Sequence, residues 1–144
     1  LTTIQSQIDG MEKVINKGND LLPKKPAKNQ LHELRIECKK LRYLLEFFSS
    51  LYPEKKISQL IDHLKLLQDL LGDINDLSIQ IRDLDQRFEI YRQSAEAGTM
   101  ALAAMGGLLT YFHQKQQELI QHFQETFKEF NSPDIIAASW QLFS

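Results

Sequence analysis

Apolar residues recur at three- and four-residue spacing along almost the whole chain, and period-two alternation bounded by turn residues is hard to find. The pattern predicts an all-α protein. A first helix covers about residues 2–17 and ends near Gly18, because a residue without a Cβ suits the left-handed position that closes a helix. "LLPKKPAKN" then reads as a loop, since two close prolines withhold backbone donors. A second helix starts near Asn29 as N-cap, runs to about Leu51 and is stopped by Pro53. From Lys56 the series Ile57, Leu60, Ile61, Leu64, Leu67, Leu71, Ile74, Leu77, Ile81, Leu84, Phe88 predicts one long helix to about Gln93, with Gly72 as a place to bend. After "SAEAG" a further helix spans Thr99 to Phe130, and "NSPD" ends it. Ser132 caps and Pro133 opens a short last helix, anchored on the core by Trp140. Short loops between long amphipathic helices imply antiparallel neighbours, hence an up-and-down bundle of four main helices plus a short C-terminal one.

At 144 residues the chain is read as a single unit, 1–144, long enough to bury a core of its own. Its formal net charge of -2 and pI near 6.1 give no global attraction for a polyanion, so any such binding must come from local clustering. The single cysteine, Cys38, cannot form an internal disulfide, which fits a reducing compartment. The N-terminus has neither a basic start nor an apolar run of signal-peptide type. The longest apolar stretch, "MALAAMGGLL", is well short of the roughly 20 residues that a membrane span requires. A soluble, cytoplasmic protein without membrane contact is the expectation. Because the first residue is not Met, the chain is expected to be part of something longer.

Local clustering is what the second helix shows. In "LHELRIECKKLRYLLEFF" the side chains of His32, Arg35, Lys39 and Arg42 fall within about 80° of arc on one side of the helix. Ile36, Tyr43 and Phe47 flank this strip on one side, and Leu31, Leu34, Cys38, Leu41 and Leu45 on the other. Glu33, Glu37 and Lys40 occupy the remaining face, the mixture expected where a helix meets water. The cations are thus expected to lie between two packed apolar surfaces, where mutual repulsion and desolvation are unfavourable unless an anion relieves them. The plainer reading has each cation reaching water along its stem or pairing with a neighbouring acid, but Glu46 is the only acid on the strip.

In "LKLLQDLLGDINDL" Lys65, Gln68, Gly72, Asn75, Asp69 and Asp76 share a face. Glycine in a helix interior costs about 1 kcal/mol against alanine, so Gly72 points to close approach by another backbone or a ligand. Asp69 and Asp76 are placed to accept hydrogen bonds from His32 or Arg42 and fix their orientation. On the fourth helix Tyr111, Lys115, Glu118 and His122 follow at three- and four-residue spacing. The small residues Ala101, Ala103, Ala104, Gly106 and Gly107 point to tight helix packing, not to a phosphate cradle, because no strand precedes them.

The first two stretches together resemble the CHAD domain, the conserved histidine α-helical domain, whose helices carry patterns close to HxxRxxxKxLRY and LKxLQxxLGxxND. The resemblance covers roughly residues 28–140 and is weaker through "GGLLTYFHQKQQELIQHFQETFKEF". It implies an all-helical module of two related four-helix bundles whose basic residues line a central channel for inorganic polyphosphate. The module occurs alone or beside triphosphatase-type catalytic domains and is regarded as a binding module, not an enzyme. Carried over by position, His32, Arg35, Lys39, Lys40 and Arg42 fit the first motif, Lys65 and Gln68 the second, and Lys115 the basic position of the later helix; Tyr43, Gly72 and Asp76 support them. This chain holds one helical set, with the wording of the C-terminal copy, so a second CHAD repeat or an attached catalytic domain is an expected neighbour.

The leading reading is therefore a non-catalytic binder of inorganic polyphosphate or another phosphate-rich polyanion, located in the cytoplasm and at polyphosphate granules. Arg would hold phosphates by bidentate hydrogen bonds and Lys as a mobile point charge. A protonated His32 would strengthen binding toward about pH 6. No cofactor, metal or catalytic residue is expected: HExxH, the di-iron ExxH pair and the P-loop are absent, and His32, His63, His113 and His122 are not spaced as a ligand set. A phosphohydrolase is the enzymatic rival. A structural bundle whose basic strip meets acidic partner helices is the other. Duplex nucleic acid is disfavoured by the negative net charge and by a strip expected in a groove.

Overall fold

The computed structural model describes residues 2–21 and 28–143, with the side chains of 5–20 and 30–143. Five α-helices follow one another: α1 (Thr2–Leu21), α2 (Lys28–Phe47), α3 (Glu54–Arg92), α4 (Thr99–Phe130) and α5 (Pro133–Phe143). There is no strand among the described residues, and no described helix is long and apolar enough to cross a membrane. The all-α bundle expected from periodicity is what forms.

Each main helix contributes a buried seam at alternating three- and four-residue steps: Gln7, Met11, Val14 and Gly18 on α1; Leu31, Leu34, Cys38, Leu41 and Leu45 on α2. The same steps give Ile57, Leu60, Leu64, Leu67, Leu71 and Ile74 on α3, and Ile120, Phe123, Phe127 and Phe130 on α4. This is the heptad spacing that lets neighbouring helices pack nearly antiparallel over their whole length. At about 1.5–3 kcal/mol for each fully buried large apolar side chain, the shared cluster supplies the main stabilising term. α5 closes one end, with Phe143 buried and Trp140 edge-on to it at 6.2 Å. Trp140 packs against the core only in part. Tyr52 donates to the side-chain oxygen of the fully buried Gln7, which ties the segment after α2 to α1.

Several boundaries differ from the sequence reading. α1 does not stop at Gly18: no described glycine has a positive φ, and the helix continues to Leu21. Gly18 is instead a contact point, because a Cβ there would run into the Phe127 ring. Of the expected loop, residues 22–27 lie outside the described residues, and the backbone is already helical at Lys28, so Asn29 is not an N-cap. α2 ends at Phe47 and a single 3₁₀ turn, Ser49–Leu51, carries the chain round. α3 starts at Glu54 and passes through Gly72 as one 39-residue helix. Ser132 does cap α5, its Oγ accepting from the Ile135 amide at 3.4 Å.

Length mismatch shapes the molecule. α1 and α2 have 20 residues each, whereas α3 has 39 and α4 has 32. A hydrogen bond from Gln116 Nε2 to Ser78 Oγ (2.5 Å) sets the α3/α4 register, and beyond it no residue from Ser78 to Leu119 is buried. The far halves of α3 and α4 therefore stand out from the four-helix part as a two-helix arm. Within it Ile81, Leu84 and Phe88 on α3 and Leu102, Met105, Leu109 and Phe112 on α4 are half-buried, as a mutually packed pair requires.

Two outcomes test this packing. Gly18→Ala is expected to lower unfolding stability by about 1–3 kcal/mol in urea or thermal melts, the usual effect of overpacking, although alanine favours helix. Burial pushes the Cys38 thiol up to about 12, with Glu37 adding to the shift. A thiol reagent at neutral pH is therefore expected to label Cys38 only as fast as the bundle unfolds.

Candidate functional site

The seam of α2 that faces α3 dictates where the cations go. Arg35 and Arg42 each follow a buried leucine on α2, and both are only partly exposed; His32 and Lys39 lie further out and are exposed. Arg35 fixes the register with α3. A Cβ built on Gly72 would stand 3.7 Å from the Nε and Nη2 of Arg35, so the guanidinium lies across the α3 backbone at the one position without a side chain. Because the helices run antiparallel, that contact puts Lys39 level with Gln68, Arg42 with Lys65, and His32 with Asn75 and Asp76. The strip from His32 to Arg42 is about 15 Å long.

Electrostatically the strip is under-compensated. Arg42 Nε is 3.9 Å from Glu46 Oε1, too far for a hydrogen bond, and it is buried without a partner. Among the described residues no carboxylate lies within ion-pair distance of Arg35, Lys39 or Lys65. Gln68 Oε1 is also buried and unpaired. Tyr43 organises two of the cations, with the Arg42 guanidinium carbon 4.9 Å and Lys39 Nζ 5.7 Å from its ring centroid.

The structure changes the setting of the strip. Only the leucine flank is packed. Ile36 and Tyr43 are well exposed and Phe47 is 79% exposed, so an open apolar row, not a second packed wall, borders the cations. The strip therefore lies on an open face, and the mutual repulsion expected of a closed groove is eased by water. Asp69 and Asp76 are exposed on α3 without a hydrogen bond to His32 or Arg42 among the described residues. They leave orientation to the Gly72 and Tyr43 contacts.

Two residues separate from the group. Lys40 lines a cleft of about 240 Å³ between α1 and α2 together with Asp9, Lys13 and Glu37, a balanced set of charges on the opposite side of α2. Lys115 is half-exposed, has Glu118 at 3.9 Å and, being next to Gln116, stands level with the root of the arm, about one turn beyond the end of the strip at His32. His63 lies elsewhere again, in a small cleft of about 150 Å³ between α3 and α5. Among the described residues no group of three His, Cys, Asp or Glu side chains could hold a metal ion.

Sequence reasoning missed the Arg35–Gly72 contact. Both residues stood out, but their partnership is a property of the α2/α3 register. At 3.7 Å a methyl group is in ordinary contact, so Gly72→Ala is expected to fold and to gain about 0.5–1 kcal/mol from helix propensity, measured by urea unfolding. Gly72→Leu, equally helix-forming, must displace the guanidinium. Only this second variant is expected to weaken anion binding.

No curated protein matches the chain. The CHAD domain matches residues 9–85, just over half of it, and so takes in most of α1, the strip on α2 and the Gly72 face of α3. Matched over more than half of its length, this chain belongs to the CHAD domain family.

Proposed function

We propose that this chain is a non-catalytic module that binds inorganic polyphosphate along the face formed by α2 and α3. The observation that carries the reading is the set of cations, Arg35, Lys39 and Lys65, that have no carboxylate partner among the described residues, beside an Arg42 whose buried Nε has Glu46 at 3.9 Å but no hydrogen-bond partner. A linear phosphate chain supplies a partner at each level of the strip. The CHAD domain as a family is associated in general terms with polyphosphate, which agrees with this chemistry.

Each residue has a distinct task in this reading. Arg35 and Arg42, held over Gly72 and Tyr43, give fixed bidentate donors with little further ordering on binding. Lys39 and Lys65 are flexible point charges that follow successive phosphates. Lys115 extends the track toward the arm, and His32 adds a donor at that end. The exposed row Ile36, Tyr43 and Phe47 is where a second CHAD repeat would rest, turning an open face into a channel. The same proposal places its site of action in the cytoplasm, at polyphosphate granules.

Titration of polyphosphate by calorimetry tests the reading. The Arg35→Ala, Lys39→Ala, Arg42→Ala triple variant is expected to lose at least tenfold in affinity. Its slope of log K against log salt is expected to shrink by about 2–3, at ~0.7–0.9 for each of the three lost cations. Lys40→Ala, on the other side of α2, is expected to leave both quantities near the parent values. Equal affinity for the parent and the triple variant would remove the proposal, and release of phosphate from the ligand would replace it with the phosphohydrolase reading.

A further inference from the structure

The first half of α4 is hard to reconcile with a lone chain. From Ala97 to Gln114 there is no Asp, Glu, Lys or Arg, yet this segment forms the outer layer of the arm and none of it is buried. Its inner face, Leu102, Met105, Leu109 and Phe112, is accounted for by α3. The outer face carries a second seam, Met100, Ala104, Gly107 and Tyr111, at the four-three-four spacing of a coiled-coil stripe. Met100 is 88% and Tyr111 57% exposed, with Leu108 exposed beside them. Of the small residues read from the sequence as tight packers, Ala101, Ala103, Ala104 and Gly107 are exposed and Gly106 is half-buried. A Cβ at Gly106 or Gly107 would meet no atom within 4 Å. Two glycines in the middle of a helix are unfavourable, and no contact among the described residues explains them.

We infer that the outer seam of α4 pairs with the same seam of a second copy of this chain, antiparallel about a two-fold axis between Met105 and Gly106. The argument for a second copy is the symmetry of the pattern. An axis at that point sets Ala104 against the partner's Gly107, twice, so that two helix backbones approach closely at the centre. The same axis sets Met100 against the partner's Tyr111 at both ends, a sulfur–aromatic pairing that flanks the small centre with bulk. It also coincides with the midpoint of the uncharged stretch. Glu96, in the turn before α4, therefore comes near the partner's Lys115 at either end, so opposite charges meet where like charges would oppose a parallel pairing. The cationic strip on α2 has no such self-complementarity. A single helix pair about 17 Å long covers less than the ~1,200 Å² of standard interfaces, so the dimer is reversible and depends on concentration.

Sedimentation equilibrium of the 144-residue chain over roughly a hundredfold range of concentration tests this pairing. The parent is expected to move from monomer toward dimer. Ala104→Glu and Gly107→Glu, both at exposed positions, are expected to weaken association at least tenfold while circular dichroism and melting show an intact bundle. Gly106→Ala, beside the seam, is expected to remain associating. A second measurement fixes orientation. With Cys38 buried, a short bis-maleimide is expected to link a Met100→Cys chain to a Tyr111→Cys chain more readily than either to itself. A parent that stays monomeric throughout, association unaffected by both glutamate variants, or preferential like-to-like linkage would each overturn the inference. An outer seam kept for a different bundle or for lipid would show itself as the first of these.

Discussion

The contact on which the rest depends is the apolar seam between α2 and α3. Leu31, Leu34, Cys38, Leu41 and Leu45 meet Leu60, Leu64, Leu67, Leu71 and Ile74 in the buried cluster, and this mating sets both the rotation and the axial register of the two helices. A rotation of one residue would carry the cations into the core or away from α3, at the full desolvation cost of a charge. In the observed register Arg35 meets the only position on α3 that has room for it. Burial of leucines thus does for the site what a dedicated hydrogen bond does elsewhere: it holds a guanidinium in place without neutralising it.

Uneven helix length divides the labour of the molecule. Where all four main helices overlap, the seams close into a core that includes three fully buried phenylalanines, Phe123, Phe127 and Phe130. Where α1 and α2 end, α3 and α4 continue with only each other to cover their apolar residues. Two helices can hide one stripe each, which is why the inner residues of the arm are half-buried and its outer ones are not. The basic strip belongs to the four-helix part and the uncharged seam to the arm. The two regions meet at the root of the arm, where Lys115 stands.

Much of the fold was legible in the sequence because a leucine every third or fourth residue has one economical solution in water, a helix with that stripe inside. The end of α4 and the start of α5 fall where the reading puts them, since Ser132 and Pro133 punctuate the chain chemically. Gly18 and Gly72 were less legible. A glycine may end a helix, bend it or make room for a neighbour, and the choice depends on what stands opposite. Phe127 stands opposite one and Arg35 opposite the other, 109 and 37 positions away in the chain, distances over which no local pattern carries information.

The sequence by itself determined the helices, their buried stripes, the membership of the basic strip on α2 and the family, because each of these is a matter of periodicity or of side chains within a few turns of one another. Tertiary structure alone decided that Ile36, Tyr43 and Phe47 face water, that Lys40 lines a cleft against α1, and that the glycines of α4 have open space around them. The physical reason is that a helical wheel gives only the angle at which a side chain leaves its axis. Whether that direction leads to solvent, to a backbone or to a charge is set by which helices lie alongside and how far each of them extends.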